Sequence, residues 1–294
     1  MRADTITKHK VRHDAGGKHT FRYVRYTLVR LTLIAVAFLQ LFPLLWLLDF
    51  SLLKSGDFYG RDILKLPLPP QWINYKNAFI HGHVPHYFLN SVVVSAVTIL
   101  LTVLCSVTMA YAVTRMNWRG SKLFYNVILL GMIIPVYCTL VPNFSIFSSL
   151  HMLDSYWALI LPNVAFSIPI SMYVMSGFME SIPRSLEEAA VMDGLGMIGV
   201  VFRIILPMTM PAIATVMVMT FISTWNEFIM AITFISDETF KTLPFALVHF
   251  TGQYASNYAA QFAVMALIAF PSIVVYFIFT EQITSSVTAG AVKG

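Results

Sequence analysis

Six stretches of about 20 mostly apolar residues, set apart by shorter polar segments, constrain this 294-residue chain more than any other feature. Each is long enough to cross a hydrocarbon core of roughly 30 Å as a helix, and in lipid only a helix or a closed barrel satisfies its own backbone. The runs are continuous rather than alternating, which excludes barrel strands of about ten residues. The chain is 57% hydrophobic and only 11% charged, and that balance also excludes a water-soluble globule. The fold class expected is therefore an all-α integral membrane protein with six transmembrane helices. Their approximate limits are Thr27–Leu48, Val92–Val113, Phe124–Phe144, Trp157–Met179, Pro211–Ile235 and Phe262–Glu281.

The first run competes with a secretory signal. Its basic flank is long, the run exceeds a signal core, and no small-residue cleavage pattern follows, so it reads as an uncleaved anchor. Three regions are expected: a basic tail over 1–26, a six-helix body over 27–283 and a short tail over 284–294. The first tail is polar and expected to be mobile up to Tyr26.

Positive charge sets the orientation. Arg2, Lys8, Lys10, Arg12, Lys18, Arg22, Arg25 and Arg30 precede or open the first span, and Arg115, Arg119, Lys122, Arg184 and Arg203 fall on the same side. Lys54, Arg61, Lys65, Lys76 and Lys241 fall on the other. The richer side is expected to be cytoplasmic, with both termini inside. The net charge of +5 is thus topology and lipid attraction rather than a nucleic-acid footprint. Cys105 and Cys138 are isolated within spans two and three and read as reduced core thiols.

Outside the spans, "LKLPLPPQWINY" is proline-broken and aromatic, so it should be extended rather than helical. The segment "SDETFKTLPFALVHFTGQYASNYAAQ" has too few apolar residues to cross a membrane and enough to dock on something. Pro135, Pro142, Pro162, Pro169 and Pro271 punctuate the spans and can kink them.

One polar segment is different in kind. "SLEEAAVMDGLG" starts with a capping-box pattern, in which the Ser185 hydroxyl accepts from the Glu188 amide and Glu188 reaches back. Pro183 stops the preceding helix, Ala189 and Ala190 favour a new one, and Gly194 can end it in the left-handed conformation. A helix over Leu186–Asp193 would be about 12 Å long, marginal in water by itself. Leu186 and Met192 offer apolar contact, while Glu187 and Asp193 resist burial in lipid. The pattern reads as a peg for a groove on a cytoplasmic protein, with a membrane-surface connector as the alternative.

The spacing of Glu188-Ala189-Ala190, Gly194, Ile204 and Leu206-Pro207 matches the EAA loop of ABC-importer membrane subunits without a gap. With "NY" at Asn74-Tyr75, "FLNS" at Phe88–Ser91, "WNEF" at Trp225–Phe228 and "TAGAVKG" at Thr288–Gly294, the chain resembles carbohydrate ABC transporter permeases of the maltose type. The resemblance runs from about residue 30 to the end and implies the type I importer permease fold. It implies a coupling helix within the loop 181–210, seated on an ATP-binding subunit through Ser185, Leu186, Glu187, Glu188, Ala189, Ala190, Met192, Asp193, Gly194 and Pro207. Gly196 and Gly199 depart from the commoner members, where bulkier residues stand.

No phosphate-cradling G-x-x-x-x-G-K-[ST] occurs in the chain, so it is not expected to be an enzyme, and ATP with Mg belongs to other subunits. The partners implied are two ATP-binding subunits, a second permease subunit and an extracytoplasmic binding protein that delivers sugar. A polyol or glycerol-phosphate cargo is the near alternative. An integral-membrane enzyme and an ion-coupled transporter are the distant ones, and neither accounts for the loop spacing.

Glu227, with Asn226, is an ionisable group within a span and a candidate for the translocation pathway, against assembly as the other reading. Trp225, Tyr173 and Phe221 are candidates for stacking on sugar rings, against lipid or helix packing. His81, His83 and His86 have metal-ligand types at close spacing, but loop histidines without a carboxylate or cysteine are usually solvated, and no metal site is expected.

Overall fold

Helices form where the apolar runs lie in the computed structural model, which describes residues 14–58, 66–251 and 257–291. In chain order they are α1 Asp14–Ser51, α2 Ile73–His81, α3 Val84–Thr114, α4 Ser121–Leu130, α5 Leu140–Ser149 and α6 Tyr156–Ser181. They continue as α7 Arg184–Met192, α8 Met210–Trp225, α9 Ile229–Phe234 and α10 Tyr258–Ala291. Between α7 and α8, Met197–Met208 is helical and passes through a π turn at Val201–Ile205.

Four helical stretches are long and apolar enough to cross a membrane unbroken: Arg25–Ser51, Val84–Thr114, Tyr156–Ser181 and Tyr258–Thr280. Two further passes are bent pairs, Ser121–Ile133 with Val136–Ser149 at 93° and Met197–Met208 with Met210–Trp225 at 70°. This corrects the third span, expected as one continuous helix. Pro135 has no N–H to donate and biases Ile134 away from the helical region, and both residues are extended there. The fifth span is likewise interrupted, since α8 stops at Trp225 and α9 begins only at Ile229.

Three smaller expectations change. The first helix begins at Asp14, so the basic segment before Tyr26 continues into the span from Asp14 onward, while residues 1–13 lie outside the described part. Ile73, Asn74 and Tyr75 open α2 rather than extending the irregular stretch before it. Cys138 is exposed, so it is not a core thiol, while Cys105 is half-buried.

The bundle is built around α3. One face of α3 carries Ser91, Ser95, Thr98, Thr102, Ser106 and Ala110, spaced three or four apart and all buried. Such small side chains let α6 and α8 approach closely, the usual basis of helix packing where water supplies no hydrophobic drive between helices. α8 in turn packs along α10. By contrast, the membrane-length window of α1 buries none of itself against the bundle. The end of α1 is fixed by Trp46 and Phe50 packed on Phe262. The leucines and isoleucines along the rest of α1 present apolar surface outward, as a lipid-facing helix does.

Candidate functional site

α7 is the short helix anticipated from the sequence, but it begins differently. Pro183 occupies the N-cap with an extended backbone, Arg184 is already helical, and no side chain caps the start. Ser185 therefore sits inside the first turn, where its hydroxyl cannot serve as a cap, and the capping box does not form. The far end follows expectation closely. Gly194 has φ +87°, Leu195 N donates to Ala190 O at 3.0 Å, and Gly194 N donates to Val191 O at 3.0 Å. These two bonds are the Schellman arrangement, which satisfies carbonyls that a helix end leaves orphaned. A Cβ on Gly194 would meet no atom within 4 Å, so the requirement for glycine is conformational rather than steric.

The burial pattern sorts the residues of α7 into two faces. Ala190 is buried against Ile182, Val200 and Ile205, while Leu186, Glu188, Val191, Met192 and Asp193 are exposed, Met192 at 87%. Val191 was not anticipated and adds to the outward apolar face. Glu187 was anticipated on that face and is not there. Its side chain is 16% exposed and its Oε1 lies 3.1 Å from Arg115 Nε, an ion contact without hydrogen-bond alignment. A cavity of about 560 Å³ opens beside the helix, lined by residues including Tyr111, Glu188, Met192 and Met197. Pro207 lies on the exposed side of the helical stretch leading into α8.

A second cavity, of about 350 Å³, lies where the two helix breaks meet α6. Val136 and Tyr137 come from the break after Pro135, Glu227 and Met230 from the break after Trp225, and Asn163, Ser167 and Ser171 from α6. Thr220 and Ser223 of α8 complete the polar part. Irregular backbone at membrane depth persists only where protein or a water-filled cavity covers it, so two breaks on one cavity are physically connected facts. Thr220 is 2% exposed and its hydroxyl is unpartnered. The polar positions had a sequence signal: Asn163, Ser167 and Ser171 recur every four residues along an apolar helix.

Of the five pathway candidates, only Glu227 lines this cavity. Its carboxylate accepts from Met230 N at 2.7 Å and Ala231 N at 3.1 Å, so it also starts α9. Trp225 is 1% exposed, stacks on Phe221 at 5.2 Å and donates from Nε1 to Ile268 O at 3.0 Å, which is helix packing. Asn226 donates back to Ile222 O, and Tyr173 is exposed away from the cavity lining.

Asn74, Tyr75, Asn90 and Ser91 from the other motifs fix the end of the molecule opposite α7, while 292–294 of the last motif lie outside the described residues. Asn74 donates to Ser51 O and Leu53 O, and Tyr75 OH bonds Ser51 Oγ at 2.7 Å. Asn90 donates to Thr239 O and Lys241 O and accepts from Tyr156 OH. Ser91 Oγ accepts from Leu243 N. The segment expected to dock does so, with Leu243, Phe245 and Ala246 buried beside Tyr87 and Val264. Nearby, Glu238 pairs with Lys241 and Tyr87, and His249 accepts or donates at Tyr87 OH, 2.9 Å away.

Burial holds His249 below the ordinary histidine value, with His83 and Lys241 adding to the effect and Glu238 opposing it. Burial raises Glu238, but Lys241 and Tyr87 outweigh it and leave the carboxyl below its ordinary value. The three loop histidines do not converge. His83 begins α3 with a left-handed backbone, His86 bonds Thr239 O, and among the described residues no group of three metal-ligating side chains gathers.

Comparison with known proteins agrees with this geometry. Residues 102–288 match the family described as "Binding-protein-dependent transport system inner membrane component". "Probable ABC transporter permease protein YurM" of Bacillus subtilis is 36% identical, over 90% of this chain and 86% of its own length. "Sulfoquinovosyl glycerol transport system permease protein SmoH" of Agrobacterium fabrum is 34% identical, over 86% of this chain and 89% of its own. Among solved structures, a bacterial ABC transporter for import of the acidic polysaccharide alginate has a similar chain, with TM-score 0.74, 22% identity and coverage of 87% and 95%. The chain is a multi-pass membrane protein that belongs to the inner-membrane permease subunits of binding-protein-dependent ABC transport systems.

Proposed function

We propose that this subunit forms half of the pathway of an ATP-driven carbohydrate importer and receives its driving force through α7. The observation carrying the coupling assignment is that α7 is too short to be stable unaided, yet turns Leu186, Val191 and Met192 away from its own bundle. A groove on an ATP-binding subunit is the surface that covers such a face. Two ATP-binding subunits hydrolyse ATP with Mg, a second permease subunit supplies the other half of the pathway, and a binding protein delivers solute on the far side. The body of the permease is residues 27–283, both termini lie in the cytoplasm, and the membrane is the bacterial inner membrane.

Closure of the ATP-binding subunits moves α7 and with it the bundle between two orientations of the pathway. Inverting such an equilibrium from 1:99 to 99:1 requires about 5.5 kcal/mol of differential binding. The cavity between the helix breaks is the candidate solute path. Hydroxyls of Tyr137, Ser167, Thr220 and Ser223 and the amide of Asn163 suit a polyhydroxylated solute. The carboxyl group of Glu227 lines the same cavity and adds a further hydrogen-bonding group for a hydroxyl-rich solute.

Cross-linking tests the coupling assignment. Met192→Cys in the assembled complex should link to an ATP-binding subunit and not to lipid-facing probes. Uptake by the reconstituted complex of neutral saccharides, acidic saccharides, polyols and glycerol phosphate tests the solute class. Transport confined to the polyols and glycerol phosphate would overturn that part.

A further inference from the structure

Arg115 and Arg184 each cap the helix that the other one follows. α3 ends at Thr114, and Arg184 donates to Thr114 O at 3.0 Å. α6 ends at Ser181, and the Arg115 guanidinium donates to Met179 O and to Ile182 O, the latter at 2.8 Å. Carbonyls at helix ends have no partner within the helix, and cations are favoured there. The exchange joins the ends of α3 and α6, two helices already packed along their length. The third contact of Arg115 is the one to Glu187 on α7. With 5% of its side chain exposed, Arg115 contacts two main-chain carbonyls and one carboxylate from a nearly buried position.

Nη2 donates to both carbonyls, and the planar guanidinium holds Nε at a fixed angle to it, facing Glu187, a fork that a flexible ammonium with one nitrogen cannot present. The geometry points to Arg115 as a positioning residue. We propose that its fork clamps α7 to the joined ends of α3 and α6, so that displacement of α7 moves both helices rather than swivelling α7 on its linkers. This inference rests on the coupling role of α7 proposed above. It adds that Glu187 faces inward to complete the clamp, while the exposed face of α7 meets the partner.

The test uses the full complex in liposomes, scoring solute moved per ATP hydrolysed. Arg115→Lys keeps a cation for Glu187 but loses the fork. Assembly and ATP hydrolysis should persist, while solute moved per ATP falls by about tenfold, the size of effect that loss of one geometric link in a coupled pair produces. Arg115→Met should lower the ratio further. If it fails to assemble, Arg115→Lys decides. A native ratio in Arg115→Lys, or hydrolysis and uptake falling in parallel in an assembled complex, would overturn the clamp. Absence of ATP-dependent uptake by the unmodified complex would instead sink the functional reading beneath it.

Discussion

At the α2 end of the molecule, Asn74 and Asn90 together donate to four main-chain carbonyls of irregular segments. At the α7 end, two arginines take the carbonyls of helix ends, and a left-handed glycine closes the coupling helix. Both ends carry residues that mark the family, yet physics uses them in opposite ways. The two asparagines of the α2 end are buried, Asn74 at 3% and Asn90 at 2%, and hold neighbouring segments in place. The marked residues of α7 mostly face outward and satisfy nothing within the chain. Short neutral amides suit a surface that keeps one shape, because buried polar partners leave no alternative geometry. A helix meant to meet another protein keeps its contacts free and relies on backbone geometry for its own form.

The comparison is broken most directly at Asn90. Asn90→Leu leaves three partners without a bond, Lys241 O buried and Thr239 O and Tyr156 OH part-buried, and should destabilise the α2 end by about 2 kcal/mol. Faster protease cutting within 236–251, with cleavage near α7 unchanged, is the measurement. At the other end, Gly194→Val forces a β-branched residue into a left-handed backbone at about 1–3 kcal/mol, with no steric clash. The subunit should still insert and assemble while uptake and solute-stimulated ATPase are lost, and Gly194→Asn should retain most of both. Normal transport by the valine variant would remove α7 from the coupling path.

Trp225→Phe should be milder. It loses the bond to Ile268 O, worth about 1 kcal/mol, and keeps the stacking on Phe221. If Trp225 stacked on solute instead, uptake affinity would fall while the melting temperature stayed put.

Acid should loosen the α2 end. His249 and Glu238 are both depressed in the folded state. Below the ordinary histidine value of 6.5 the unfolded chain binds the proton more readily than the folded one. Stability from His249 is therefore fully present above that value and lost as pH falls through the lower folded value. Glu238 follows the same sign further down, starting from its ordinary 4.5. Hydrogen exchange of 236–251 against pH should show protection falling below about 6.5 before any change in α7. Equal acid loosening of both ends would erase the contrast.

Much of this was legible because it is local. Hydropathy over about 20 residues marks each pass. Gly194 could be read as a stop because the left-handed requirement belongs to one residue and its neighbours. The capping box failed for an equally local reason, since Pro183 is at home just outside a helix and took the cap position two residues early. Glu227 was legible as a polar intrusion, but Trp225 was misplaced because amphipathic rings look alike whether they meet solute, lipid or a neighbouring helix.

By itself, then, the sequence determined an all-helical membrane body, the place of the short helix α7 and the glycine that ends it, all through hydropathy and backbone preference acting over a few turns. Tertiary structure decided which polar positions share a cavity. It also turned Glu187 inward and joined Arg115 to carbonyls 64 and 67 residues away. No local pattern encodes such a contact, because its partner is chosen by how the helices pack and not by the residues beside it.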